Sequence, residues 1–102
     1  STKSKSVTCK NIIESVSKYF DVEMKDLTGK CRKKELVYPR QLIMFLMRRE
    51  INTSYPTIGQ EIGGRDHTTA MHAFNKITKE LEENDRIKQD LESIKQLLYN
   101  NN

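Results

Sequence analysis

Residues 63–77 read GGRDHTTAMHAFNKI, and the chemistry they offer is short-range hydrogen bonding. Asp66, His67, Thr68 and Thr69 place small polar side chains directly ahead of a helical pattern of Ala73, Phe74 and Ile77. A threonine can set its methyl group against a thymine methyl or its hydroxyl on a base edge or phosphate, and an aspartate can accept from the cytosine amino group. A helix N-terminus adds free N–H groups and partial positive charge, which suit a phosphate beside such readers. The same residue types also suit an ordinary helix start, with Asp66 as the N-cap.

His67 and His72 raise the question of a metal site. Five positions apart, they are turned about 140° from one another on a helix, whereas an H-E-x-x-H pair lies four apart on one face. No third ligand is placed by the sequence, so no metal is expected. Cys9 and Cys31 fit neither a C-x-x-C spacing nor a nucleophile signature, and one pair is too few for a disulfide framework. A reduced cytosolic chain without a catalytic centre is the simpler expectation.

These polar residues need a scaffold, and the apolar spacing predicts one made of helices. Thr8 is the predicted N-cap of a helix from about Cys9 to Phe20 carrying Ile12, Ile13, Val16 and Tyr19. VEMKDLTG predicts a short helical turn stopped by Gly29, leaving GKCRKKE as a basic loop free to reach outwards. Pro39 suits the first turn of a central helix whose buried residues are Leu42, Ile43, Phe45, Leu46 and Met47, with Arg40, Gln41, Arg48 and Arg49 at its edges. Ser54 is expected to cap a short helix bearing Pro56, Ile58 and Ile62, which Gly63 and Gly64 end. A following helix buries Ala70, Ala73, Phe74, Ile77 and Leu81 and turns Thr68, His72, Asn75 and Lys79 outwards. The last helix starts near Asn84 or Asp85 and carries the stripe Ile87, Leu91, Ile94, Leu97 and Leu98. Residues 54–81 therefore follow the plan of a helix-turn-helix, in which the second helix contacts bases with its N-terminal residues.

Charge and length narrow the function classes. The 102 residues suit one small domain, too small for a large catalytic fold. A 35% hydrophobic fraction in regular spacing argues against disorder. The net charge of +4 conceals a basic block. Between Lys25 and Arg49 only Asp26 and Glu35 oppose Lys25, Lys30, Arg32, Lys33, Lys34, Arg40, Arg48 and Arg49, whereas the segment after Ile77 is mildly acidic. Such a block fits a polyanion partner as well as a solvated face. The longest apolar run, LIMFLM at 42–47, is too short to span a membrane, and STKSKSVT lacks the apolar core of a signal peptide, so a cytoplasmic location is expected. Residues 1–6 are expected to be a disordered tail or linker remnant, 7–98 the folded domain and 99–102 a frayed end.

IGQEIGGRDHTTAMHAFNKI at 58–77 resembles the signature of the C-terminal DNA-binding domain, domain IV, of bacterial DnaA replication initiators. YPRQLIMFLMRRE and NIIESVSKYFDV are similar to that family's central and first helices, so the resemblance runs from about Val7 to Leu98. It implies an all-α domain of about six helices with a Trp-repressor-like helix-turn-helix. The implied partner is double-stranded DNA: a DnaA box at the replication origin, bound by a monomer on one asymmetric site. Asp66, His67, Thr68 and Thr69 would then read bases in the major groove, and Arg32 would enter the adjacent minor groove. Lys34, Arg40, Gln41, Arg48, Tyr55 and Pro56 would hold or lie against the phosphate backbone.

Cys31, Ile62 and Asn75 depart from the family pattern. The first and third would thin the phosphate contacts, while Ile62 would refill space usually taken by Phe. The resemblance also implies ATP and Mg binding and self-assembly in other parts of the full-length family, regulatory proteins as further partners, and a nucleoid-associated location. No G-x-x-x-x-G-K-[ST] loop is present, so this chain itself is expected to take no cofactor and to act as no enzyme. A helix-turn-helix repressor would be expected to dimerise on a palindrome, and a helical interaction module would rest on the stripe of the last helix.

Overall fold

Thr8 opens the helical part of the chain with a reciprocal cap: its hydroxyl accepts from the Asn11 N–H, and Asn11 Oδ1 accepts from the Thr8 N–H, both at 3.1 Å. In the computed structural model, which describes residues 6–100, the helix that follows is α1 (Cys9–Phe20). It buries Ile12, Ile13 and Val16 and stops where Asp21 turns left-handed at φ 57°, a conformation short polar residues tolerate. Next come α2 (Met24–Thr28), α3 (Val37–Ile51), α4 (Tyr55–Glu61), α5 (His67–Leu81) and α6 (Asp85–Asn100), and among the described residues there is no strand.

The centre is α3, in which every side chain from Leu42 to Met47 is buried. A helix apolar on all sides must be surrounded, and α3 packs most heavily on α5 and then on α1. Left-handed Asn52 ends it, with the Asn52 and Thr53 N–H groups bonding the Arg48 and Met47 carbonyls at 3.1 and 3.0 Å. Ser54 then caps α4, its hydroxyl accepting from Thr57 N–H at 3.3 Å, with Pro56 in the first turn. Gly63 and Gly64, at φ 76° and 72°, reverse the chain into α5. The all-α plan with a helix-turn-helix in α4 and α5 is therefore the observed one.

Four expectations are corrected. The basic loop does not float: Cys31 packs partly buried against the core, and a 3₁₀ turn at Lys34–Leu36 sinks Leu36 into it. Arg40 is not at an edge of α3 but buried, because the last turn of α2 presents it with open carbonyls. The chain does not fray at 99, since α6 runs to Asn100 and the Tyr99 hydroxyl donates to Glu50 Oε1 at 2.5 Å. Leu97 is half-buried, at the margin of the α6 stripe. Residues 1–5 of the expected tail, and 101–102, lie outside the described residues.

Asp90 is a buried carboxylate that the acidic composition of α6 concealed. It accepts the hydroxyls of Tyr19 at 2.6 Å and Tyr38 at 2.7 Å and lies 3.5 Å from Arg86 Nε. One side chain of α6 thus ties together α1 and α3. Burial, followed by the hydrogen bond to Asp90, pushes the Tyr38 hydroxyl far above the ordinary tyrosine range, and the bond to Asp90 raises that of Tyr19.

Candidate nucleic-acid interface

The tip of α5 presents Asp66, His67 and Thr69 exposed and Thr68 half-buried. Asp66 holds the N-cap position by its backbone, yet its side chain makes no capping bond. Its carboxylate instead accepts from the Thr68 hydroxyl at 3.0 Å and lies 3.0 Å from His67 Nδ1. The Thr68 hydroxyl, with smaller help from the helix-start amides and His67, keeps the Asp66 carboxyl below its usual range. The tip is therefore a set of polar groups braced against one another and open to a partner.

What holds the tip in place is the turn before it. Arg65 N–H donates to the Gly59 carbonyl at 2.8 Å, and a Cβ on Gly59 would collide with the Arg65 carbonyl, so α4 and the start of α5 touch backbone to backbone. Arg65 Nη1 donates to the Gly29 carbonyl at 2.9 Å and to the Ile62 carbonyl. The basic loop that begins at Lys30 is thereby brought beside the turn. Lys30, Arg32, Val37, Arg40, Gly63, Gly64, Arg65 and Thr69 line one open hollow. Burial, and then the charges of Arg40 and Arg32, lower the Arg65 pKa, which marks a crowd of cations.

The expected backbone set divides by environment. Lys34 and Pro56 are exposed, and Gln41, Arg48 and Tyr55 half-buried. Arg48 lies over the Tyr55 ring at 4.6 Å and donates to the Thr53 carbonyl at 3.2 Å. Tyr55 meets Phe74 edge-on at 6.3 Å, and Phe74 stacks on Phe45 at 5.3 Å, so a line of rings runs from the core to Arg48. Arg40 differs: Nε donates to the Leu27 carbonyl at 3.1 Å and Nη2 to the Asp26 carbonyl at 2.6 Å. Its Nε–H and one N–H of Nη2 serve the fold.

Sequence reading placed Arg32 and Thr69 in separate roles, and the structure sets them in one hollow. It gave Arg65 and Gly59 no role, although an arginine between a helix-ending glycine and a helix start is suitably placed to serve open carbonyls. Half-exposed Val37 also lines the hollow and had no place in the sequence reading. His72 is exposed on the outer face of α5.

Two helices joined by a glycine turn, with a polar tip beside a cationic hollow, define a helix-turn-helix DNA-binding domain. Residues 9–77 match the helix-turn-helix of bacterial DnaA proteins. The chain belongs to that family. It is 49% identical over 92 residues to the chromosomal replication initiator protein DnaA of Levilactobacillus brevis, covering 90% of this chain and 20% of that protein. Against the protein of the same name from Herpetosiphon aurantiacus the identity is 41% over 98 residues, 96% of this chain and 21% of that protein. The chain thus spans about a fifth of the length of these relatives. Among the described residues no helix is long and apolar enough to cross a membrane.

Proposed function

We propose that this domain binds double-stranded DNA sequence-specifically at DnaA-box sites of a replication origin, as the DNA-recognition part of an initiator protein. The observation that carries the reading is the shared hollow of Arg32, Arg65 and Thr69, which puts a loop arginine next to the tip of a helix-turn-helix. Asp66, His67, Thr68 and Thr69 read base edges in the major groove and Arg32 reads the adjoining minor groove, where a narrow A·T-rich stretch favours an arginine. Lys34, Gln41, Arg48, Tyr55 and Pro56 fix the domain on the phosphates, and Arg40 reaches a phosphate through the N–H groups that its two carbonyl bonds leave over.

The domain acts as a monomer on an asymmetric box, in the cytoplasm at the nucleoid. It uses no cofactor of its own, and any ATP and Mg chemistry belongs to other parts of a longer protein. Binding to a DnaA-box duplex and to a scrambled duplex, each at two salt concentrations, tests this. A preference for the box on the order of a thousandfold at physiological salt is expected. Equal affinities would reduce the site to general basic attraction, and tight binding only to a two-fold palindrome would favour a dimeric repressor.

A further inference from the structure

The C-terminal end of α2 is a strip of backbone on which two arginines from elsewhere converge. Arg40, from α3, holds the Asp26 and Leu27 carbonyls; Arg65, from the turn between α4 and α5, holds that of Gly29. Lys30, where the basic loop begins, follows directly. Contact is close enough that a Cβ on Gly63 would stand 2.7 Å from the Gly29 carbonyl oxygen and 2.8 Å from that of Thr28. A single guanidinium therefore joins, across 36 positions of sequence, the root of the loop carrying Arg32 to the turn that launches Asp66 to Thr69.

We propose that Arg65 is a positioning residue for two-groove recognition, fixing the offset between the Arg32 loop and the tip of α5 so that both enter their grooves in register. The proposal rests on the DNA-box reading above. Residues 30–33 have no regular structure of their own and are held by Cys31 packing and by the anchor at Gly29, so losing the anchor leaves more of the loop to be ordered on binding. The carbonyls of Gly29 and Ile62 also hold the Arg65 cation beside Arg32 and Arg40 before any DNA arrives. A simpler role for half-exposed Arg65, direct contact with a phosphate, makes different predictions.

The test compares the chain and its Arg65→Gln, Arg65→Lys, Arg32→Ala and Arg65→Gln/Arg32→Ala variants on three duplexes. These are a DnaA box, the same box with 2,6-diaminopurine for adenine, and a scrambled sequence. Diaminopurine adds an amino group in the minor groove and leaves the major-groove edge unchanged. Thermal melts show which variants are folded at the assay temperature; should Arg65→Gln not be, Arg65→Lys carries the same comparison, alone and combined with Arg32→Ala.

The unmodified chain should lose about tenfold in affinity on the diaminopurine box, a loss typical of one spoiled groove contact. Arg32→Ala should abolish that sensitivity. Arg65→Gln and Arg65→Lys should both remove most of it while still preferring the box to the scrambled duplex, and the double variant should bind no more weakly than Arg32→Ala. Full retention of the minor-groove sensitivity in Arg65→Gln would overturn the proposal. So would equal losses on all three duplexes that Arg65→Lys restores, which would make Arg65 a phosphate contact. Should the unmodified chain fail to separate box from scrambled DNA, the DNA-box reading itself fails.

Discussion

At the scale of single residues, the α5 tip sets a braced side chain beside an open one. Asp66 is tied to Thr68 and His67, whereas Thr69 is exposed in the cationic hollow. Replacing Thr69 or Asp66 by alanine should cost on the order of 1 to 3 kcal/mol on the cognate box and flatten the preference over scrambled DNA. Competition titrations with both duplexes check this, and equal losses on the two would count against base reading. Asp66 also bears on the pH dependence. Its pKa is lowered, so the carboxylate stays charged throughout the neutral range and any change there belongs to another group. Asp66→Asn should therefore leave the slope of affinity against pH unchanged between about 8 and about 5.5, which titrations of both chains at several pH values check.

At the scale of elements, the turn and the line of rings are what convert helices into a site. Gly63 needs both its left-handed φ and its missing Cβ, whereas Gly64 needs only the former, with open space around it. Gly63→Ala should cost about 1 to 3 kcal/mol more than Gly64→Ala, from forced displacement of the α2 carbonyls. Urea unfolding of the two variants measures the difference. Arg48→Ala should weaken binding to all sequences and reduce the logarithmic salt slope by about 0.9, one phosphate. Arg40→Ala should instead lower the melting temperature clearly, because the Asp26 and Leu27 carbonyls lose their donor. The helices themselves were legible because caps and apolar spacing are local: Thr8, Ser54 and the glycine pair marked their own boundaries. Arg40, Arg65 and Asp90 were not, since each has a partner 13 or more positions away that no neighbouring residue announces. The site was legible in the tip motif and basic block, but their meeting in one hollow was not, because it depends on how α2 sits against the turn.

At the scale of the whole molecule, α6 fastens the bundle through its apolar stripe and Asp90. Asp90→Ala should destabilise the domain by about 3 kcal/mol, since two tyrosine hydroxyls lose their buried acceptor. Alkali should act on the same seam and on Tyr99, whose hydroxyl is pushed from 10.0 up to about 12 by burial and by Glu50. A raised tyrosine pKa means that the folded state holds the proton more tightly. The stability it brings is complete below pH 10.0 and is lost as pH rises towards about 12. Urea midpoints should accordingly fall between about pH 9 and about pH 11.5, and Tyr99→Phe should shrink the drop.

The stretch matching the DnaA helix-turn-helix stops at residue 77, eight residues before α6 begins. Yet Ile87, Leu91, Ile94 and Leu98 of that helix lie in the common core, and Asp90 joins it to α1 and α3. The matched helix-turn-helix segment is therefore shorter than the bundle that packs around it. Transplanting only the former onto another protein would carry over the reading head without the brace that keeps it rigid.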